Sequence, residues 1–195
     1  VGRGNVVALL QDIYHLPAHL YQRYDLVHAR LLAPSVPPRR WPRLLHEMVW
    51  ACKPGGWVVW SEPELPVCLP VCLPKTPAWN QWLTWCEQSL LVLGGSPAIA
   101  PQMETLFRQA GRWRYVLHSQ CFVPLSLAAY TPTPLRTDQL ARLRGLFRAL
   151  CPTLLAAEVA TPKALDAGIE QVLEELRTRH VQSQWRWHTI SGRKA

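Results

Sequence analysis

The chain has 195 residues, 49% of them hydrophobic and 17% charged, which suits one buried core and does not suit a disordered chain. Its 21 basic and 13 acidic residues leave a formal charge of +8, yet the cations are scattered, with no block of five like charges, so a nucleic-acid partner is not expected. No apolar run approaches the roughly 20 residues of a membrane span, and no basic-then-apolar leader opens the chain, so a cytoplasmic location without a membrane partner is expected.

Asn5 to Leu10 (NVVALL) follows a glycine and predicts a short buried strand near 6–10. After Asp12 and a Pro-containing loop, Tyr24 to Ala29 predicts a second strand near 25–28. Residues 35–38 read as loop. In Arg39 to Cys52, the spacing of Trp41, Leu44, Leu45, Met48 and Val49 predicts a helix with one apolar face. Lys53-Pro54-Gly55-Gly56 suits its end, because a cation, a proline and glycines all belong there. Trp57 to Trp60 then predicts a buried strand over 57–61, closing at Ser61-Glu62. Strands alternating with helices in this way argue for a parallel α/β sheet.

Pro63, Pro66, Pro70, Pro74 and Pro77 predict a long loop without regular structure over 63–77, on the substrate side of the fold. A helix over 78–93 is stopped by Gly94-Gly95, and a shorter one over 101–110 by Gly111. Trp113 to Val123 reads as a strand. Helices follow over 136–150 and 162–179, the second with Thr161 as N-cap and Pro162 at its first position. Gln184 to Ile190 alternates as a last strand, near 184–191, with Gly192-Arg193-Lys194 as a polar exit. The last two strands suit an antiparallel pairing at a sheet edge. Of the six cysteines, Cys52, Cys86, Cys121 and Cys151 stand alone in apolar contexts and read as core. Cys68 and Cys72 fall in the repeated PVCL and read as a local duplication, since no second pair completes a metal set.

Asp12-Ile13-x-x-Leu16-Pro17, then Tyr24-Asp25-Leu26-Val27-His28-Ala29-Arg30, a helix, and Lys53-Pro54-Gly55-Gly56-Trp57 closely resemble, in that order, the second half of a class I S-adenosylmethionine-dependent methyltransferase. The resemblance covers nearly the whole chain. It lacks the family's Gly-rich first strand and the acidic second strand that holds the ribose, so the chain reads as a member that begins at its third strand. The fold class implied is a Rossmann-like, three-layer α/β sandwich whose sheet is incomplete in its N-terminal half. The family sheet runs 3-2-1-4-5-7-6, and the first strand here should be poorly held or unusually paired. One partial domain over 1–195 is expected, with cofactor-side strands over 1–62, the Pro-rich loop over 63–77, and C-terminal helices and edge strands over 78–195.

The resemblance makes S-adenosyl-L-methionine the cofactor and a small molecule the methyl acceptor. Asp12 would accept a hydrogen bond from the adenine amino group and Ile13 would pack on the adenine face. His28, Ala29 and Arg30 would lie beneath the methionine end of the cofactor. His28 is the candidate general base, and Arg30 a partner for a carboxylate. Glu62, at a strand tip, is a candidate for a substrate hydroxyl or amine. Trp79 and Trp82, with Trp85, either line an acceptor pocket or form a core stripe at helical spacing. Asp25 reads as an anchor for neighbouring backbone. The second reading that stays open is a non-catalytic remnant or interaction module that does not bind cofactor alone, with self-association through unpaired strands.

Overall fold

Four strands form one open sheet in the computed structural model, which describes residues 8–70, 76–96, 99–124, 133–178 and 183–195. They are β1 (Tyr24–Arg30), β2 (Cys52–Pro70), β3 (Trp113–Pro124) and β4 (Ser183–Lys194), ordered β1-β2-β4-β3 across the sheet. β1 and β2 are parallel, and β4 runs antiparallel to both of its neighbours. Helix α1 (Trp41–Ala51) links the parallel pair. Helices α2 (Pro77–Val92) and α3 (Met103–Gln109) lie between β2 and β3, and α4 (Thr133–Ala156) and α5 (Pro162–Thr178) between β3 and β4.

Alternation along the strands divides the sheet into two faces. Val27 and Ala29 of β1, Val58 and Trp60 of β2 and Ile190 of β4 pack with Trp41, Leu44, Leu45 and Met48 of α1 and with Met103 and Phe107 of α3. Trp41 and Trp60 are both fully buried, their rings 4.5 Å apart. Each removes about 200 Å² from water, up to about 5 kcal/mol at roughly 25 cal/mol per Å². The opposite face exposes Leu26, Tyr115 and Leu117. A second core lies apart from the first, where Trp79 and Trp82 of α2 meet Phe147 and Leu154 of α4 and Leu165, Ile169 and Val172 of α5.

Polar groups fix the helix ends. Lys194 Nζ donates to the carbonyls of Val49 (2.9 Å) and Cys52 (2.8 Å), placing a cation at the C-terminus of α1. Glu175 of α5 accepts the amides of Ala78 (3.3 Å) and Trp79 (3.2 Å), placing an anion at the N-terminus of α2. Thr161 Oγ1 accepts the Ala164 amide at 3.2 Å, the N-cap expected for α5. Gly55 has φ +76°, where a side chain would be strained, and a Cβ on Gly56 would come within 2.9 Å of the Asp25 carbonyl.

The architecture is the expected mixed α/β open sheet, with three differences. Residues 8–10 of the expected first strand are not strand, because no neighbouring strand lies beside them among the described residues; 6 and 7 lie outside those residues. The Pro-rich stretch is not a structureless loop throughout, since β2 continues to Pro70 and pairs with β4 as far as Pro70 opposite Ser183. β1 ends opposite Ser61, so β2 is paired on one side only beyond that point, and its register shifts between Pro63 and Cys68. Proline is tolerated in a strand where no ladder needs its missing N–H. Residues 71–75 lie outside the described ones, and Pro77 starts α2. Finally, Gly192-Arg193-Lys194 is part of β4, not an exit from it.

Gly192 gives a test of this packing. A Cβ there would come within 2.6 Å of Phe107 and 2.7 Å of Trp113, whose rings stack 4.4 Å apart. Gly192→Ala should destabilise the chain by about 1–3 kcal/mol, read by urea unfolding. An unchanged midpoint would contradict the close approach.

Candidate functional site

Glu62 organises the C-terminal end of β1 and the point of β2 at which its pairing with β1 stops. Its side chain has no exposed surface. Oε1 accepts the Leu32 amide at 2.7 Å and the Trp60 indole N–H at 3.1 Å, and Oε2 accepts the Ala33 amide at 3.2 Å. Burial pushes its carboxyl above the usual range, against the pull of these three donors. The Leu31 amide donates to the Ser61 carbonyl (3.2 Å), and Leu31 turns the chain with φ +59°. The Ala33 carbonyl in turn accepts the Ser96 amide beyond α2 (3.1 Å). Glu62 therefore spends both oxygens on the loop that leaves β1.

Asp12 sits in an Asx turn. Oδ1 accepts the Tyr14 amide at 2.9 Å, and Oδ2 lies 3.1 Å from His15 Nδ1. The Tyr14 amide, then His15, hold its exposed carboxyl below the ordinary range. The turn is fastened to α1: the Leu16 amide donates to buried Glu47 (3.1 Å), Arg43 Nε donates to the Tyr14 carbonyl (2.8 Å), and Arg40 lies over the Tyr14 ring. Ile13 is exposed beside it. Asp25, also exposed, meets Lys53 Nζ at 2.9 and 3.0 Å, so it pairs a side chain where backbone had been expected.

His28 and Arg30 lie two apart on β1 and share the face away from α1. With Ser61, Cys121, Trp187 and Thr189 they line a shallow pocket of about 230 Å³. Ala29 faces the other way, against the core. Asp12 and Ile13 do not line this pocket. Trp79 and Trp82 are buried between α2, α4 and α5, as a core stripe would be. A larger cavity, about 620 Å³, opens at the other end of the sheet beside Tyr21, His46, Trp50 and Lys194, and is lined by none of the candidate site residues named from the sequence.

Sequence reasoning missed a polar chain inside the sheet. Glu104 of α3 lies 3.1 Å from His118 Nδ1, His118 Nε2 lies 3.1 Å from His188 Nδ1, and His188 Nε2 lies 3.6 Å from Glu64, which also meets Arg186 at 3.1 Å. Two isolated histidines give no signal until β3 and β4 are set in register. Arg108, then His118, hold the Glu104 carboxyl down. Burial holds His188 below the ordinary imidazole range, against the upward pull of Glu64. Among the described residues no group of three or more His, Cys, Asp or Glu side chains could hold a metal ion, and no helix is long and apolar enough to cross a membrane.

No family model matches the chain, and no curated protein matches it in sequence. Several solved structures are similar to it in structure. Phosphoethanolamine N-methyltransferase 2 of Haemonchus contortus, in complex with phosphomonomethylethanolamine and S-adenosylhomocysteine, is similar over 89% of this chain and 34% of that one, at 14% identity and TM-score 0.43. An S-adenosylmethionine-dependent methyltransferase from Archaeoglobus fulgidus is similar over 95% of this chain and 66% of that one, at 13% identity and TM-score 0.46. The [4+2]-cyclase SpnF is similar over 94% of this chain and 55% of that one, at 16% identity and TM-score 0.41. The chain spans about a third of the length of the Haemonchus enzyme.

The buried imidazole sets a pH dependence. A histidine whose folded pKa is depressed leaves the unfolded chain binding more protons below about pH 6.5, so stability falls as pH drops through that value. Urea midpoints should therefore be lower at pH 5.5 than at pH 7.5, and His188→Gln should reduce the difference. An undiminished fall in the variant would place its origin elsewhere.

Proposed function

We propose that the chain is the C-terminal half of a class I methyltransferase fold and contributes to S-adenosylmethionine-dependent methyl transfer to a small molecule. The observation that carries this reading is strand order with strand direction. The sheet runs β1-β2-β4-β3 with β4 antiparallel, in keeping with the 4-5-7-6 half of the family order; the motif Tyr24–Arg30 forms β1 and Lys53-Pro54-Gly55-Gly56 opens β2.

The reading assigns the two ends of the cofactor to two segments of the chain. Asp12 offers an ionised acceptor and Ile13 an exposed apolar side chain for the adenine, and the segment His28–Arg30 offers a floor and a cation for the methionine end. The described residues offer no acid for the ribose hydroxyls and no glycine-rich amide cradle. When bound, the cofactor supplies an electrophilic methyl group. The chain's own part is to hold donor and acceptor in line and to exclude water. His28, exposed at the site's edge, is the candidate to take a proton from the acceptor. The self-association and remnant readings have no observation of their own in their favour.

Since the described residues lack two or three charge-assisted hydrogen bonds worth about 1.5–3 kcal/mol each, S-adenosylhomocysteine should bind in about the millimolar range instead of about the micromolar one. In a ¹⁵N-labelled sample, the amide shifts it causes should concentrate at Asp12, Ile13 and His28–Arg30, and Asp12→Ala should remove the shifts at the first two. Shifts confined to other segments, or micromolar binding by calorimetry, would overturn this account of the site.

A further inference from the structure

The sheet face away from α1 carries a polar row across an apolar surface. The register sets Arg30 opposite Ser61, Ser61 opposite Thr189, and Thr189 opposite Ser119, so one arginine and three hydroxyl side chains from four strands lie in a single line. Exposed Leu26 and Leu117 lie on the same face. The Ser61 and Thr189 hydroxyls are 3.0 Å apart, and either can donate. Whichever does, the proton of the other hydroxyl has no acceptor among the described residues. Ser119 Oγ donates to the Thr189 carbonyl at 3.4 Å.

Arg30 is the charged end of this row. Its guanidinium lies 4.5 Å over the Trp187 ring and makes no hydrogen bond or ion pair among the described residues. Stacking fixes the plane of the guanidinium and leaves its N–H edges free, the arrangement in which arginine recognises oxyanions. His28 adds a ring nitrogen from the same face, and these groups share the pocket of about 230 Å³.

We propose that this pocket is a binding site for the oxyanion group, carboxylate or phosphate, of a small molecule. Arg30 supplies the charge and the fork, the Ser61–Thr189 pair supplies a hydroxyl donor, and Trp187 supplies the wall that holds the fork. Charge-assisted bonds of this type are the strong ones in an otherwise neutral setting. The site stands on the register and the pocket, and binding there does not require methyl transfer.

The test is a titration of the ¹⁵N-labelled chain with inorganic phosphate and, separately, with acetate, following the amides of Arg30, Ser61 and Thr189 and the Arg30 Nε–H. Saturating shifts at these positions are expected for at least one of the two anions, and the better binder identifies the ligand chemistry. Affinity should fall about tenfold or more in Arg30→Gln and measurably in Ser61→Ala, which keeps the Arg30–Trp187 stack. Arg108→Gln, on the opposite side of the sheet, should bind as the original chain does. Shifts that never saturate, that are spread over all the arginines, or that survive Arg30→Gln unchanged would overturn the proposal. The site shares His28 and Arg30 with the proposed cofactor site and rests on that reading only there: failure of both anions removes the role of Arg30 at the methionine end and leaves the adenine contacts of Asp12 and Ile13 to be read with S-adenosylhomocysteine, whereas failure of S-adenosylhomocysteine alone leaves this site standing.

Discussion

A single buried carboxylate holds together the end of the sheet where the candidate site lies. Glu62 follows the last residue of β2 that is paired to β1, and it gathers the amides of Leu32 and Ala33 and the indole of Trp60. Burying a carboxylate costs several kcal/mol, and it is tolerated when directed donors replace the lost water. Here each of three donors replaces part of that hydration at about 1.5–3 kcal/mol. The consequence travels outward. The loop after β1 is fixed, its Ala33 carbonyl receives the Ser96 amide, and the chain beyond α2 is tied back to the parallel strands. Arg30, one residue before Leu31, is presented on the opposite face by the same geometry.

Two cores then share the work. The sheet with α1 and α3 is built on paired indoles and aliphatic side chains, and α2, α4 and α5 close around Trp79, Trp82 and Phe147. The helices of the second core arise from the segments after β2 and β3, so they belong to the C-terminal side of the fold. The face of the sheet away from α1 is the less covered one. It combines exposed leucines with the Arg30–Ser61–Thr189 row.

Much of this was legible in the sequence. Helical spacing in Trp41 to Val49, the strand pattern of Tyr24 to Ala29 and the apolar run Trp57 to Trp60 mark the parallel unit, because one buried face leaves a periodic trace. The length of β2 was not legible. Proline density argues against strand only where both edges are paired, and pairing is not visible before β1 is known to stop at Arg30, opposite Ser61. The position of Glu62 after Trp57–Ser61 suggests a strand-tip acid facing substrate, but period-2 alternation puts it on the same face as Val58 and Trp60, which are both core. That parity was the available signal. The His118–His188 contact had none, since it joins residues 70 apart through a register that only the folded β3–β4 pair defines.

The central claim is that Glu62 fixes the loop that leaves β1, and it can be measured directly by amide hydrogen exchange at Leu32 and Ala33. In the original chain both amides should be protected to a degree comparable with the paired strand residues Val58 and Val59. In Glu62→Ala, two backbone amides and an indole lose their acceptor together. Protection at Leu32 and Ala33 should then collapse, while Ile190, in the centre of the sheet, keeps most of its own. Equal protection of Leu32 and Ala33 with and without the carboxylate would contradict the claim.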